Sequence, residues 1–430
     1  MKCEDIRYQT YVKILERELI PAMGCTEPIA LAYCAAQAKA LLGVLPEKVK
    51  IAASGNIIKN VKSVVVPNTG GKRGIEAAAA VGILAGDPKK ELEVISSVSE
   101  EQKRELDDYL ALVPIQVTPS HTNHILDIEV TVESGAHRAK VRIVDEHTNV
   151  VYKEKDGAVV FEKDLNSVNH EKQETEKPDY TLLTIEDIFD FARTLEISDV
   201  EDILERQMHY NMEISREGLR GDYGANIGKT ILKNADEGDI RAQAKAKAAA
   251  ASDARMNGCE LPVVINSGSG NQGITSSIPV IVYAEHLKAG REELLRALTF
   301  SNLVTLHLKS GIGRLSAYCG AVSAGVGAGA GITYLKTHDL DSISHTIVNA
   351  LAITSGIVCD GAKSSCAAKI AVAVDAGIFG YEMYQNGQQF FDGEGLVCKG
   401  VENTIRNIGI LGCEGMKETD KKIIEIMTGC

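Results

Sequence analysis

Between Tyr318 and Tyr334 the chain reads YCGAVSAGVGAGAGITY, a Gly/Ala-rich run without proline. Side chains this small let helices approach one another closely, so such a stretch belongs where other helices pack around it. A second run, residues 29–42, is almost uncharged. A helix apolar on all sides is a buried one, which places that segment inside the protein as well. At 430 residues the chain exceeds the roughly 250–300 at which a single core stops growing, and two domains are expected.

The apolar pattern divides the chain. Residues 1–43 read as helical, with Tyr8, Tyr11, Val12, Ile14 and Leu15 spaced for one face and Pro28 opening a second helix. From residue 45 to 165 short β-like stretches (49–53, 61–66, 115–118, 125–132 and 139–144) alternate with helical ones at 74–86 and 97–110. The alternation in 125–130 gives one wet face, hence an antiparallel or mixed sheet. Residues 166–179 are polar and read as a linker. Helices are expected at 185–195 and 200–216, capped by Thr184 and Ser198, and helices dominate from 180 to 430. The fold class is α+β: a predominantly helical domain plus a smaller inserted α+β domain.

A net charge of −13 argues against a nucleic-acid partner, which needs a basic face, and against anionic membranes. No run of 18 apolar residues and no signal-like start is present, so a cytoplasmic enzyme acting on a small molecule is expected. The sequence is silent on oligomeric state and leaves a homo-oligomer open. Ten cysteines in a reducing compartment do not form a disulfide framework. Cys3, Cys34, Cys259, Cys398 and Cys413 read as small packed side chains.

The remaining cysteines carry the chemistry. Cys319, in YCG, and Cys359 and Cys366, in VCDGAKSSC, fall close together. Thiolates are the soft ligands that iron-sulfur clusters require, and three of them leave one iron of a 4Fe-4S cube open as a Lewis acid. The spacings are not those of ferredoxins or zinc ribbons, and buried structural cysteines are the competing reading. Cys366 is expected in the first turn of a helix, where the dipole favours a thiolate. Cys25, in MGCTEP, stands just before a helix N-terminus; the expectation is a lowered thiol pKa and a general base, against a plain buried residue.

Glycine-rich loops at 54–56, 68–74 and 266–273 offer backbone N–H groups to an anion such as a carboxylate. Asn56, Ser269, Gly270 and Asn271 are the substrate-binding candidates they supply. Lys363, beside the cysteines, either steadies a carboxylate or points into water. His121 and His124 offer two metal ligands without a third nearby, so loop or sheet-edge histidines are the plainer reading.

The segments GCTEPIALAYCAAQA, SGNIIKNVKSVVVPNTGG, NSGSGNQGITSSIPV, GRLSAYCGAV and ITSGIVCDGAKSSCAAKIA resemble the L-cysteine desulfidase family. Its C-terminal part is related to the α domain of bacterial iron-sulfur L-serine dehydratases. The resemblance implies an oxygen-labile 4Fe-4S lyase that converts L-cysteine to pyruvate, ammonia and sulfide without pyridoxal phosphate. It puts the cluster ligands on Cys319, Cys359 and Cys366 and the proton-abstracting cysteine on Cys25. For these to meet, residues 1–44 must fold onto the helical domain at 180–430.

Three rival functions stand beside this one. L-serine or another β-substituted amino acid serves the same mechanism. A non-catalytic metal or redox sensor would need no base, and a pyridoxal-phosphate lyase would need a lysine in a phosphate cup. Cys430 ends the chain on a thiol that a bending Gly429 could bring to the open iron, against a frayed end.

Overall fold

The computed structural model describes residues 1–120, 122, 124–163 and 178–429. In chain order the elements are α1 (Ile6–Glu18), β1 (Pro21–Met23), α2 (Thr26–Leu42), β2 (Lys48–Ala53), α3 (Gly55–Val61), α4 (Gly74–Ala85), α5 (Glu100–Leu112), β3 (Ile115–Pro119), β4 (Asp127–Ser134), β5 (His137–Val144), β6 (Val150–Lys155) and β7 (Ala158–Glu162). They continue with α6 (Ile185–Thr194), α7 (Glu201–Arg220), α8 (Ile227–Lys233), α9 (Ile240–Met256), β8 (Pro262–Val264), α10 (Gly270–Leu287), α11 (Arg291–Ser310), α12 (Gly320–Thr337), α13 (Leu340–Thr354), α14 (Ser365–Gln385), α15 (Val401–Ile410) and α16 (Lys417–Thr428).

The architecture is α+β. A six-stranded sheet has the order β3-β2-β4-β5-β6-β7. Strand β2 runs parallel to β3 and every other pair is antiparallel, so the sheet is mixed. Helices α2 and α4 pack on each other, and α2 lies across β4 and β5. Its Cys34 thiol points at the sheet, 3.4 Å from the Val141 carbonyl oxygen, as a packed small side chain.

The Gly/Ala-rich run forms α12, buried along nearly its whole length and packed against α10, α11, α13 and α14. A Cβ on Gly329 would lie 2.6 Å from the Gly377 carbonyl oxygen of α14, so both positions need glycine for this crossing. The absence of side chains here is what lets five helices share one centre.

The N-terminal segment divides between the two parts. Tyr8 and Tyr11 of α1 meet Phe191 of α6 edge to face, with centroids 5.0 and 5.3 Å apart. Strand β1 pairs antiparallel with β8, Pro21 opposite Val264 and Met23 opposite Pro262. Helix α2, grouped with α1 by sequence, turns away to cover the sheet. Cys25 therefore sits where the chain passes from one part to the other.

Several local expectations are corrected. Residues 61–66 are not a strand: Val61 ends α3, and the rest is a loop, buried only at Val64, Val65 and Val66, holding one isolated bridge, Val65 to Arg73. Their β-like apolar pattern reflects burial, not pairing. Ser198 caps nothing, since it lies in a short 3-10 turn before α7, whereas Thr184 does cap α6. The linker assigned to 166–179 lies outside the described residues through position 177, as do His121 and Cys430. No described helix is long and apolar enough to cross a membrane.

Candidate active site

Four helices aim their N-termini at one cavity of about 100 Å3. Its walls include Cys25 and Glu27 from the start of α2, Ser269, Asn271 and Gln272 from α10, Cys319 and Gly320 from α12, and Cys359 and Cys366 before and inside α14. The volume suits a small polar molecule and falls short of the roughly 300–1,000 Å3 of drug-sized sites. Each N-terminus brings unpaired N–H groups and partial positive charge, so the cavity is built for anionic groups.

Backbone pairing brings the three clustered cysteines together. Tyr318 and Val358 form an isolated antiparallel bridge; the Cys319 amide donates to the Ile357 carbonyl at 3.1 Å and the Cys359 amide to the Ala317 carbonyl at 2.6 Å. Cys366 follows in the first turn of α14, its thiol 3.7 Å from the Gly361 oxygen. Asp360 in the intervening loop is neutralised by Lys363, at 2.6 Å, and by Lys369. Burial, then neighbouring Cys359, pushes the Cys319 thiol up to about 12, and burial also raises Cys366. The lowered pKa expected from the helix position of Cys366 is thus overturned by desolvation.

Cys25 is the N-cap of α2, and Pro28 stands at the third helical position, not the first. Gly24 before it holds φ at +60° and packs under Pro67, where a Cβ would lie 2.7 Å from the ring. Residue 25 is thereby turned inward. Its thiol donates to Glu27 Oε2 at 3.0 Å. The same carboxylate accepts from Asn60 Nδ2 at 2.9 Å and from Thr26 Oγ1 at 3.2 Å. Thr26 is also tied to the helical part, since its hydroxyl contacts the Gly268 oxygen at 2.9 Å.

Burial and then the Glu27 carboxylate hold the Cys25 thiol well above 9, against the opposing pull of Arg255. The expected lowering therefore does not occur: the favourable field of the helix end is outweighed by desolvation and a like charge. For Glu27 burial acts upward, but His147, the thiol hydrogen bond and Arg255 outweigh it, and the carboxyl is held below its usual range. The resting pair is a thiol hydrogen-bonded to a carboxylate.

The 266–269 turn is a two-residue hairpin turn, with Ser267 at φ 50°, Gly268 at φ 75°, and Asn266 and Ser269 exchanging both backbone hydrogen bonds. It delivers Ser269 as the N-cap of α10 and Asn271 into the cavity. Gly270 contributes room: a Cβ there would lie 2.3 Å from Arg255 Nε. Asn56 and Lys363 do not line the cavity. Asn56 Nδ2 donates to Asp420 of α16 at 2.8 Å, and Lys363 turns to Asp360. His124 pairs with Asp145 at 3.0 Å on the surface, away from the cysteines.

The sequence reading passed over Glu27, Asn60, Arg255, Gln272, Lys309, Arg314 and Tyr318, all of which line the cavity. Among the described residues, Asn60 Oδ1, Arg255 Nε and Nη2, Asn271 Oδ1, Gln272 Oε1 and the Tyr318 hydroxyl are buried polar atoms with no hydrogen-bond partner. Buried polar groups are ordinarily satisfied, so this concentration marks a place for a polar ligand. Glu27, Asn60, Gln272, Arg314 and Tyr318 stand in the family-like segments and were recoverable there, whereas Arg255 and Lys309 stand in none.

A family model for the serine dehydratase alpha chain matches residues 89–425. The chain belongs to that family. Among its relatives, UPF0597 proteins of Desulfitobacterium hafniense and Lachnoclostridium phytofermentans are 55% and 50% identical; the matches cover 99% and 98% of this chain and 98% and 99% of theirs. One of Treponema denticola is 45% identical over 99% of both chains. Family membership makes this a dehydratase-like enzyme. The three clustered cysteines and the N-terminus of α12 all fall within the matched residues, whereas Cys25 precedes them.

Among the described residues no three His, Cys, Asp or Glu side chains gather tightly enough for a single metal ion. A cluster makes a different demand, because each thiolate binds a different iron. The donor set fits such a group: three thiols on one cavity, helix N-termini around it, and the buried Lys309 near Cys359 and Cys319.

Proposed function

We propose that the chain is an iron-sulfur-dependent lyase that eliminates hydrogen sulfide from L-cysteine to give pyruvate, ammonia and sulfide. The observation that carries this reading is that Cys319, Cys359 and Cys366 share one cavity with Cys25. In it those three residues hold a 4Fe-4S cluster. Bound there, the cluster supplies a Lewis-acidic iron that makes the β-substituent a better leaving group.

The chain's own residues handle the protons. The Cys25 proton passes to Glu27 Oε2, along the 3.0 Å hydrogen bond already present. The thiolate so formed takes the Cα proton of the amino acid; that C–H pair becomes the Cα=Cβ bond, and the Cβ–S bond breaks with its electrons leaving on the hydrosulfide anion. One proton from the Cys25–Glu27 pair converts hydrosulfide to hydrogen sulfide, which restores the resting thiol and carboxylate. The 2-aminoacrylate product tautomerises and hydrolyses in water to pyruvate and ammonia. Ser269 and Asn271 face the amino acid, and Asn60 keeps the Glu27 carboxylate in place.

The family description favours a second substrate, L-serine, with hydroxide as leaving group in the same cavity. Anaerobic reconstitution with iron and sulfide, followed by visible absorbance and parallel pyruvate assays on L-cysteine and L-serine, tests both. Cys319→Ser, Cys359→Ser and Cys366→Ser should each lose most of the iron; full iron in all three rejects the ligand set. Cys25→Ser should keep the cluster and lose roughly 100- to 10,000-fold in turnover. Activity within a few fold of wild type rejects Cys25 as the base.

A further inference from the structure

Arg255 closes the last turn of α9 and is the largest fully buried side chain among the described residues, at 2% exposure. Among those residues its Nε and Nη2 have no hydrogen-bond partner, and it lines the cavity. A guanidinium cannot shed its proton to escape the cost of burial, as a lysine can, so this charge needs an anion. Glu27 is near enough to feel its field, but the oxygens of that carboxylate already accept from Cys25, Thr26 and Asn60.

The surroundings of Arg255 are shaped to leave it free. Its Nε lies against Gly270, where a Cβ would come within 2.3 Å, so the guanidinium shares the N-terminus of α10 with backbone N–H groups that have no intrahelical partner. In the first turn of the same helix, the Asn271 Oδ1 and Gln272 Oε1 acceptors also lack partners among the described residues. Donors for an anion and acceptors for a cation thus stand side by side, the polarity of an amino-acid zwitterion.

We infer that Arg255 binds the α-carboxylate of the substrate, with the N-terminus of α10 beside it, and thereby restricts the site to amino acids whose carboxylate is free. The choice of an amino acid as ligand rests on the lyase reading; the assignment of an anion to Arg255 does not. Arg255 is a positioning residue for the elimination, since it fixes the Cα–H relative to Cys25.

The test uses the reconstituted holoenzyme and two probes that lack a β leaving group, L-alanine and L-alaninamide, titrated calorimetrically. Wild type should bind L-alanine and bind the amide roughly 100-fold more weakly. Arg255→Gln should weaken L-alanine by roughly 30- to 1,000-fold with its iron content kept, leave the amide unchanged, and raise KM for L-cysteine far more than it lowers kcat. Arg255→Lys, which retains the charge if Arg255→Gln fails to fold, should recover part of the L-alanine affinity. Equal affinity of wild type for acid and amide overturns the inference, as does undiminished L-alanine binding by Arg255→Gln. Loss of iron in both variants overturns it too, because the guanidinium would then serve the cluster. Carboxylate-dependent binding by a wild type that makes no pyruvate supports the inference and sinks the lyase reading.

Discussion

Replacing Glu27 by Gln keeps the side chain's size and removes the acceptor for the Cys25 proton. At the 3.0 Å separation of Sγ and Oε2, a thiolate and a carboxylate would repel by about 5 kcal/mol at an effective dielectric constant near 20. The thiolate therefore forms only as its proton moves onto Glu27. Glu27→Gln should have two opposite effects. Burial of Cys25 is unchanged but the like charge is gone, so the thiol ionises more readily and iodoacetamide alkylates it faster at pH 8. Turnover nevertheless falls by roughly 100- to 10,000-fold, because an amide can neither take up the thiol proton within the cavity nor return one to the departing hydrosulfide. Mass spectrometry of Cys25 alkylation and pyruvate release from L-cysteine, on iron-matched anaerobic batches, read the two effects separately. A variant that alkylates more slowly, or that turns over within a few fold of wild type, refutes the proton pair.

Three further outcomes follow from buried charges and close contacts. Asp420→Ala leaves the Lys59 ammonium, 1% exposed and 2.5 Å from Asp420, without its counterion under α16; urea denaturation should show a loss of roughly 3–5 kcal/mol, and a loss below about 1 kcal/mol contradicts the pairing. Burial lifts the Asp253 carboxyl from 3.8 to about 6, so the stability held by its neutral form is complete below 3.8 and is lost as pH rises through 6. Asp253→Asn should therefore gain up to roughly 3 kcal/mol over wild type at pH 8 and less at pH 5; an equal effect in thermal unfolding at both values contradicts it. Gly270→Ala drives a methyl into Arg255 and Val263 and should cost about 1–3 kcal/mol while raising KM for L-cysteine; unchanged Tm and KM contradict the close contact.

The parts of the site that were legible in the sequence are those encoded locally. Cys319, Cys359 and Cys366 stand in short motifs, and the same residues that make the motifs make the turns and helix starts that aim them. Cys25 was legible for the same reason, since Gly24 and the helix after it turn residue 25 inward. What escaped is long-range. The β1–β8 pairing that brings residue 23 beside residue 262 involves three short, unremarkable residues on each side. Arg255 ends an Ala-rich helix with no motif, and its significance appears only when α9 is laid beside the N-terminus of α10. The pKa expectations failed because a sequence shows a helix end but not the depth at which it is buried. Lys363 was singled out by its place beside the cysteines and Asn56 by its glycine-rich loop, yet Asp360 and Asp420 claim their side chains.

Product stoichiometry from the reconstituted enzyme decides whether elimination takes place at a cluster held by three cysteines beside Cys25. Incubated anaerobically with L-cysteine, the iron-loaded enzyme should release pyruvate, ammonia and sulfide in equal amounts, and the same protein without iron should release none. An enzyme with full iron occupancy that forms pyruvate from neither L-cysteine nor L-serine would contradict it.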